Sequence, residues 1–159
     1  MKNEMNSEVF THTKPRVLQH FSQEHKVVGL LSMRIRQGFK KEIELKRIKK
    51  YVDWVFEEQL IPHFEDEEKF LLSFLPDDDK IKKRTLAEHR KLKRLLDDNK
   101  DLNRSLSLFE ELLDLHIRFE ERVLFNHIQQ TVSPEQLKKL NENHKLPLRD
   151  KAWDDCFWD

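Results

Sequence analysis

His63-Phe64-Glu65-Asp66-Glu67-Glu68-Lys69-Phe70-Leu71 and His116-Ile117-Arg118-Phe119-Glu120-Glu121-Arg122-Val123-Leu124 read as two copies of one phrase. In each, a histidine stands four residues ahead of a glutamate, and acid, base and leucine follow in the same order. Positions i and i+4 share a face of an α-helix about one turn apart. Each copy therefore aims an imidazole and a carboxylate at one point, and two such helices face to face make a nest of nitrogen and oxygen ligands.

Working outward, a second pair of copies appears. Glu24-His25-Lys26 and Glu88-His89-Arg90 each run acid, histidine, base, and Val28 and Leu31 downstream of the first match Leu92 and Leu95 downstream of the second. The order along the chain is EH, HxxxE, EH, HxxxE. A unit that occurs twice implies two related helical hairpins about a pseudo-twofold axis.

The surrounding composition is helical. Charged residues make up 38% of the 159, while glycine occurs only twice, which disfavours a turn-rich β protein. Lysine plus arginine and aspartate plus glutamate balance at 30 each, so neither nucleic acid nor an anionic membrane surface is indicated as a partner. Basic runs such as Lys40-Lys41, Lys46 to Lys50 and Lys80 to Arg84 are interleaved with acids and apolar positions, as on solvated helix faces. No apolar run is long enough to span a bilayer, and the N-terminus does not read as a signal peptide. One cysteine, Cys156, leaves no intrachain disulfide and no four-cysteine metal site. The expected compartment is the cytoplasm.

Periodicity places four long helices. Ser22 reads as the N-cap of the first, with His25, Val28, Ser32, Ile35 and Phe39 on its inner stripe and Gly38 near its end. The second spans about 43 to 74 and is interrupted at Pro62, so a kink is expected just before His63. Pro76 and the acids Asp77 to Asp79 cap the third, whose inner stripe is Ile81, Thr85, His89, Leu92 and Leu96. The fourth starts near Ser105 and carries Leu106, Phe109, Leu113, His116, Glu120, Val123 and His127 inward. Ser133-Pro134-Glu135-Gln136 is a capping box, which opens a short fifth helix to about Lys145. Short connections between long helices predict an all-α, up-down-up-down four-helix bundle with a short fifth C-terminal helix. The divisions expected are an N-terminal arm over 1–21, the bundle over 22–130, and the short helix with an aromatic tail over 131–159.

His25, His63, Glu67, His89, His116 and Glu120 all fall on stripes that are otherwise apolar. Spacing alone is weak evidence, because 30 acids among 159 residues supply such pairs by chance. His20 and Glu24 are set aside as one of these, since His20 would precede the helix cap. Six converging polar groups are another matter, because a buried carboxylate without a partner costs several kcal/mol. A bound cation is the compensation expected, at a site near one end of the bundle. Imidazoles and carboxylates without thiolate suit iron, manganese or zinc. Two divalent ions would carry four positive charges against two carboxylates, an excess that favours a small anion between them. Gln59 and Thr85 are the expected acceptors for the outer ring nitrogens of the ligating histidines.

At these residues, from about Ser22 to Ile128, the chain resembles the hemerythrin-like, or HHE cation-binding, family. The likeness lies in SQEHKVVGLL, PHFEDEEKFL, LAEHRKLKRLL and HIRFEERVLF. The resemblance implies a four-helix bundle around a non-haem pair of iron ions with an Fe-O-Fe type centre. It implies His25, His63, His89 and His116 as nitrogen ligands, and Glu67 and Glu120 as bridging carboxylates. Oxygen carriers of that family have a further histidine one turn after the third-helix ligand, where this chain has Lys93. Relatives often carry a proline where this chain has Ser73 and Asn126. The function expected is binding of a small diatomic or peroxidic ligand (oxygen, nitric oxide or peroxide) in sensing, storage or stress response. Turnover as a peroxidase, nitric oxide reductase or iron-centre repair enzyme is the alternative, as is a helical adaptor with a structural metal. Catalysis would need a proton donor near the site, and Tyr51 is the one candidate. His127 is expected to be capped or solvent-facing, and the tail around Trp153 to Trp158 to pack back over the bundle.

Overall fold

A computed structural model describes residues 14–142 and 148–159. Among these residues the fold is all-helical with no strand: α1 Arg16–Lys40, α2 Leu45–Val55, α3 Ile61–Asp66, α4 Lys80–Asp97, α5 Leu102–Phe119, α6 Phe125–Thr131 and α7 Pro134–Glu142. Wider π turns join some of them without a break in the helical path. Phe56–Leu60 links α2 to α3, Glu67–Leu71 follows α3, and Glu120–Leu124 links α5 to α6. The helical path from 45 to 74 closes on a 3-10 turn, Leu72–Phe74.

The ends of these helices explain where the sequence reading holds and where it shifts. Asp79 caps α4, its carboxylate accepting from the backbone N–H groups of Ile81 and Lys82 at 2.9 Å each. Asp101 caps α5 by accepting from Arg104 N–H, so this helix opens at Leu102 rather than near Ser105. Ser133 and Gln136 form the expected reciprocal capping box at α7. The expected end near Lys145 lies outside the described residues. The first helix differs most. It begins at Arg16, behind Pro15, not after Ser22, and no local side chain caps it. Instead Val17 N–H donates to Asn141 Oδ1 of α7 at 2.8 Å, a cap supplied by tertiary structure. His20 is consequently inside the helix and buried, against the expectation that it precedes the cap.

Gly38 does not end α1, which runs on to Lys40 before the chain turns through Glu42 at φ 54°. Its lack of a side chain serves packing: a Cβ there would lie 2.7 Å from Ile48 Cδ1 and 3.0 Å from the Phe157 ring. The interruption expected at Pro62 takes the form of the π turn just ahead of it. Proline has no N–H to donate, and the widened turn reroutes the local bonding, with Ile61 N–H reaching Phe56 O.

Two apolar clusters hold the helices together. One gathers Val28, Leu31 and Ile35 with Ile48 to Leu60, Phe64, Leu92, Leu96, Leu106, Phe109 and Leu113. The other gathers Val17, Leu18 and Phe21 with Leu71, Leu72, Leu75, Leu124, Phe125, Ile128 and Leu140. The six singled-out polar residues lie between them along every long helical path. The polar layer is therefore covered on both sides by apolar side chains, where the sequence places it toward one end of the bundle. The tail closes over the first cluster. Phe157 is buried there, Trp153 packs on Trp54 with ring centres 4.7 Å apart, and Arg34 and Arg47 grip Asp150 and Asp155 through paired hydrogen bonds. Cys156 is exposed. No described helix is long and apolar enough to cross a membrane.

Candidate metal centre

His25, His63, Glu67 and Glu120 bring ligand atoms within 4.8 Å of one another, and so do His89, His116 and Glu120. All six residues expected from the sequence thus converge, and Glu120 belongs to both groups. Every one is buried, and Glu67 and Glu120 are wholly so, at 0% exposure. The site comes from four helical paths. α1 gives His25; α3 and the turn after it give His63 and Glu67; α4 gives His89; and α5 with its following turn gives His116 and Glu120.

In both copies of the HxxxE phrase the glutamate opens a π turn, whose first carbonyl accepts from the residue five positions on. Such turns occur mostly inside α-helices at functional positions. The next residue in each copy, Glu68 or Glu121, lies against the histidine of a neighbouring helix.

The four imidazoles share one orientation. Each turns Nε2 inward and offers Nδ1 to a carboxylate behind it. The pairs are His25 with Glu121 at 2.8 Å, His63 with Glu24 at 2.9 Å, His89 with Glu68 at 3.2 Å, and His116 with Glu88 at 2.9 Å. Glu24 reaches from the first helical path to the second, Glu68 from the second to the third, Glu88 from the third to the fourth, and Glu121 from the fourth back to the first. These four glutamates replace the expected Gln59 and Thr85. Gln59 Nε2 instead donates to Arg149 O at 3.4 Å, and Thr85 Oγ1 to Ile81 O within its own helix. The signal was present in the sequence, since all four acids stand beside a ligand position in the repeated phrases.

Inside the ring of imidazoles, hydrogen bonding runs out. His25 Nε2 lies 3.0 Å from Glu120 Oε1, and His63 Nε2 touches Glu67 Oε1. Both Glu67 oxygens, Glu120 Oε2, His89 Nε2 and His116 Nε2 are buried without a well-formed hydrogen bond, although, besides that contact of His63 with Glu67, His116 Nε2 lies 3.2 Å from Glu120 Oε1. Such atoms ordinarily find a partner, and each one that does not costs roughly 1–3 kcal/mol or more when charged. Their convergence fits a cation, and these His and Glu groups could hold a metal ion.

Electrostatics show the same frustration. Burial, and then the charge of Glu120, push the Glu67 carboxyl well above the usual carboxylate range. Burial pushes Glu120 the same way, but His116 and His25 overcome it and hold Glu120 well below that range. Burial alone would lower His116, yet the Glu120 charge and the bond to Glu88 raise it to about 10. His89 is the exception among the shifted rings, because burial lowers it against the weaker pull of Glu68. Behind the rings, burial raises Glu24 and Glu121, but hydrogen bonds from His20 and His63, and from His25 and Lys14, bring both down to about 2. The expected excess of cationic charge is therefore corrected. Four further carboxylates surround the site, so its balance does not by itself demand a bridging anion.

Of three other residues, His20 and Tyr51 are placed differently from expectation, and His127 lies away from the site as a capped histidine should. His20 Nε2 stands 3.4 Å from Glu24 Oε2, so the pair set aside as chance is a real contact supporting the carboxylate behind His63. His127 Nε2 bonds Asp79 Oδ2 at 2.6 Å and joins α6 to the cap of α4, away from the site. Tyr51 lies under the tail, its hydroxyl accepting from Arg34 at 2.7 Å, and burial pushes its phenol up. It is no proton donor to the centre. His12 and His144 lie outside the described residues.

Comparison with protein-family models, with curated proteins and with solved structures finds no match for this chain.

Proposed function

We propose that this protein binds two metal ions, iron in the reading its residues support best, and uses them to meet a small ligand such as oxygen, nitric oxide or peroxide. The observation that carries this reading is the uniform posture of the four histidines, Nε2 inward and Nδ1 on a glutamate, around carboxylate oxygens that lack well-formed hydrogen bonds. A carboxylate behind each imidazole fixes the tautomer that leaves Nε2 free to ligate and makes it a stronger donor. A structural core has no use for four such arrangements in one layer. Manganese and zinc suit the same donors.

The hemerythrin-like resemblance supports the same six ligands, His25, His63, His89 and His116 through nitrogen and Glu67 and Glu120 through oxygen, with Glu120 within reach of both histidine pairs and Glu67 grouped with His25 and His63. An up-down-up-down arrangement of four helical paths is part of the proposal. Its support is that each path meets the two apolar clusters and the polar layer in the order opposite to the path before it. Bound ions would supply open coordination positions and redox chemistry. The chain's own residues exclude bulk water with Phe21, Phe64 and Phe125, which pack on the histidine rings. Beyond the ligands and their glutamates, His20 and Lys14 are tied to Glu24 and Glu121 behind the rings.

Elemental analysis of protein purified without oxygen tests the reading, with optical spectra before and after air. About two metal ions per chain are expected, falling sharply in Glu67→Ala and His116→Ala. A near-ultraviolet band appearing in air identifies a bridged ferric pair. Metal content indifferent to both substitutions overturns the assignment, and zinc that ignores oxygen and nitric oxide would reduce the ion to a structural role.

A further inference from the structure

The two halves of the centre are not equally furnished. Among the described residues, Glu120 joins His25, His63 and Glu67 on one side, and His89 and His116 on the other. An ion on the second side has fewer protein ligands and more positions for a guest. That same side carries the way in. A cavity of about 170 Å³ opens at the surface between α3 and α4, lined by Phe56, Ile61, Phe64, His89, Arg90 and Lys93 among others. One water needs roughly 10–15 Å³ of such space, so a diatomic or triatomic molecule fits easily.

Its inner wall is a pair of stacked rings. Phe64 lies on His89 with centres 4.0 Å apart and planes 17° from parallel. The Phe64 ring also meets His116 edge-on at 5.8 Å and His63 at 5.9 Å. One aromatic side chain thus stands between the cavity and the rings of His63 and His116, while His89 itself lines the cavity. At the mouth stand the exposed cations Arg90 and Lys93; Glu68 is tied to His89, and Glu65 is the other acid there. On the opposite half, Phe125 stacks on His25 at 5.4 Å within the second apolar cluster.

Resting on the proposed metal centre, we infer that small ligands enter from this cavity to the His89–His116 half, with Phe64 as the gate and Lys93 as an electrostatic guide for anions. Phe64 swings or flexes to admit a guest, because its ring, stacked on that of His89, forms the inner wall of the cavity. Lys93 raises the local concentration of an anion without touching a neutral molecule, an effect that added salt would weaken.

Rapid-mixing measurements of azide and nitric oxide binding to the metal-loaded protein, each variant first checked for metal content, test this. Phe64→Leu is expected to speed both ligands several-fold with metal content unchanged. Lys93→Glu is expected to slow azide several-fold at low salt and leave nitric oxide alone, and Phe125→Leu to change neither. Equal rates in wild type, Phe64→Leu and Lys93→Glu, all fully loaded, overturn the inference while leaving the metal centre standing. Acceleration by Phe125→Leu alone moves the entrance to the His25 side and overturns it too. A wild-type protein that holds no metal removes the centre and the gate together.

Discussion

The two halves of the repeated unit begin from nearly the same words and end in different surroundings. In the first, the glutamate behind His63 is almost wholly buried: Glu24 is 2% exposed, His20 stands beside it, and Leu148 N–H of the tail donates to its Oε2 at 3.0 Å. In the second, the matching Glu88 behind His116 is partly exposed and is steadied by Arg84, itself on the surface. The first half is strapped down by the C-terminal segment; the second faces a cavity. A duplicated motif thus fixes the type and spacing of the candidate ligands, while whatever packs outside each copy sets how tightly the cluster is held and from where it can be reached.

The sharpest way to break the comparison is to remove what the halves share. Glu120→Ala should lose essentially all bound metal, because its carboxylate belongs to both groups, whereas Glu67→Ala should fall from about two ions to about one, held on the His89–His116 side. Elemental analysis of the two variants checks this, and equal retention in both would refute the shared role. Next comes the strap. Phe157→Ala empties a buried aromatic position against Ile48 and Tyr51 and should cost about 3 kcal/mol, read from denaturant unfolding of the metal-free protein. A loss under half that size would mean the tail only rests on the helices.

Glu24→Gln and Glu88→Gln probe the halves against each other. Removing a carboxylate behind a ligating histidine typically weakens metal binding by roughly 10–100-fold. The buried Glu24 should fall at the upper end and Glu88 at the lower, as measured by competition with a chelator; the reverse order would contradict the strapped-and-open contrast. The smallest effect lies outside the site. Asp79→Ala removes the α4 cap and the His127 contact together and should cost about 1 kcal/mol at neutral pH. Burial raises the Asp79 carboxyl, but the Lys82 N–H and His127 hold it below its usual range. Its contribution is therefore present above the ordinary carboxylate pKa and vanishes as pH falls through the depressed one. Unfolding curves of wild type and variant should converge in acid.

How far the sequence could be read follows from the range of the forces involved. Capping by Asp79 and by Ser133 with Gln136 is written in adjacent residues and was legible. The start of α1 was not, because Asn141, far along the chain, supplies the missing acceptor to Val17. The misplaced cap then hid His20. Gln59 and Thr85 were sought behind the histidines because they lie on the inner stripes, yet the carboxylates that serve there sit beside the ligands and reach across to the next helix.

The order of residues alone settled that the chain is helical and that six polar side chains fall on buried stripes, since both follow from spacing at one turn of a helix. Which glutamate stands behind which histidine, which half is strapped and which opens to a cavity were decided only when distant helices and the tail packed together. Contacts between residues so far apart in the chain leave no period in the sequence; they depend on how the helices are turned toward each other, and the two apolar clusters fix that.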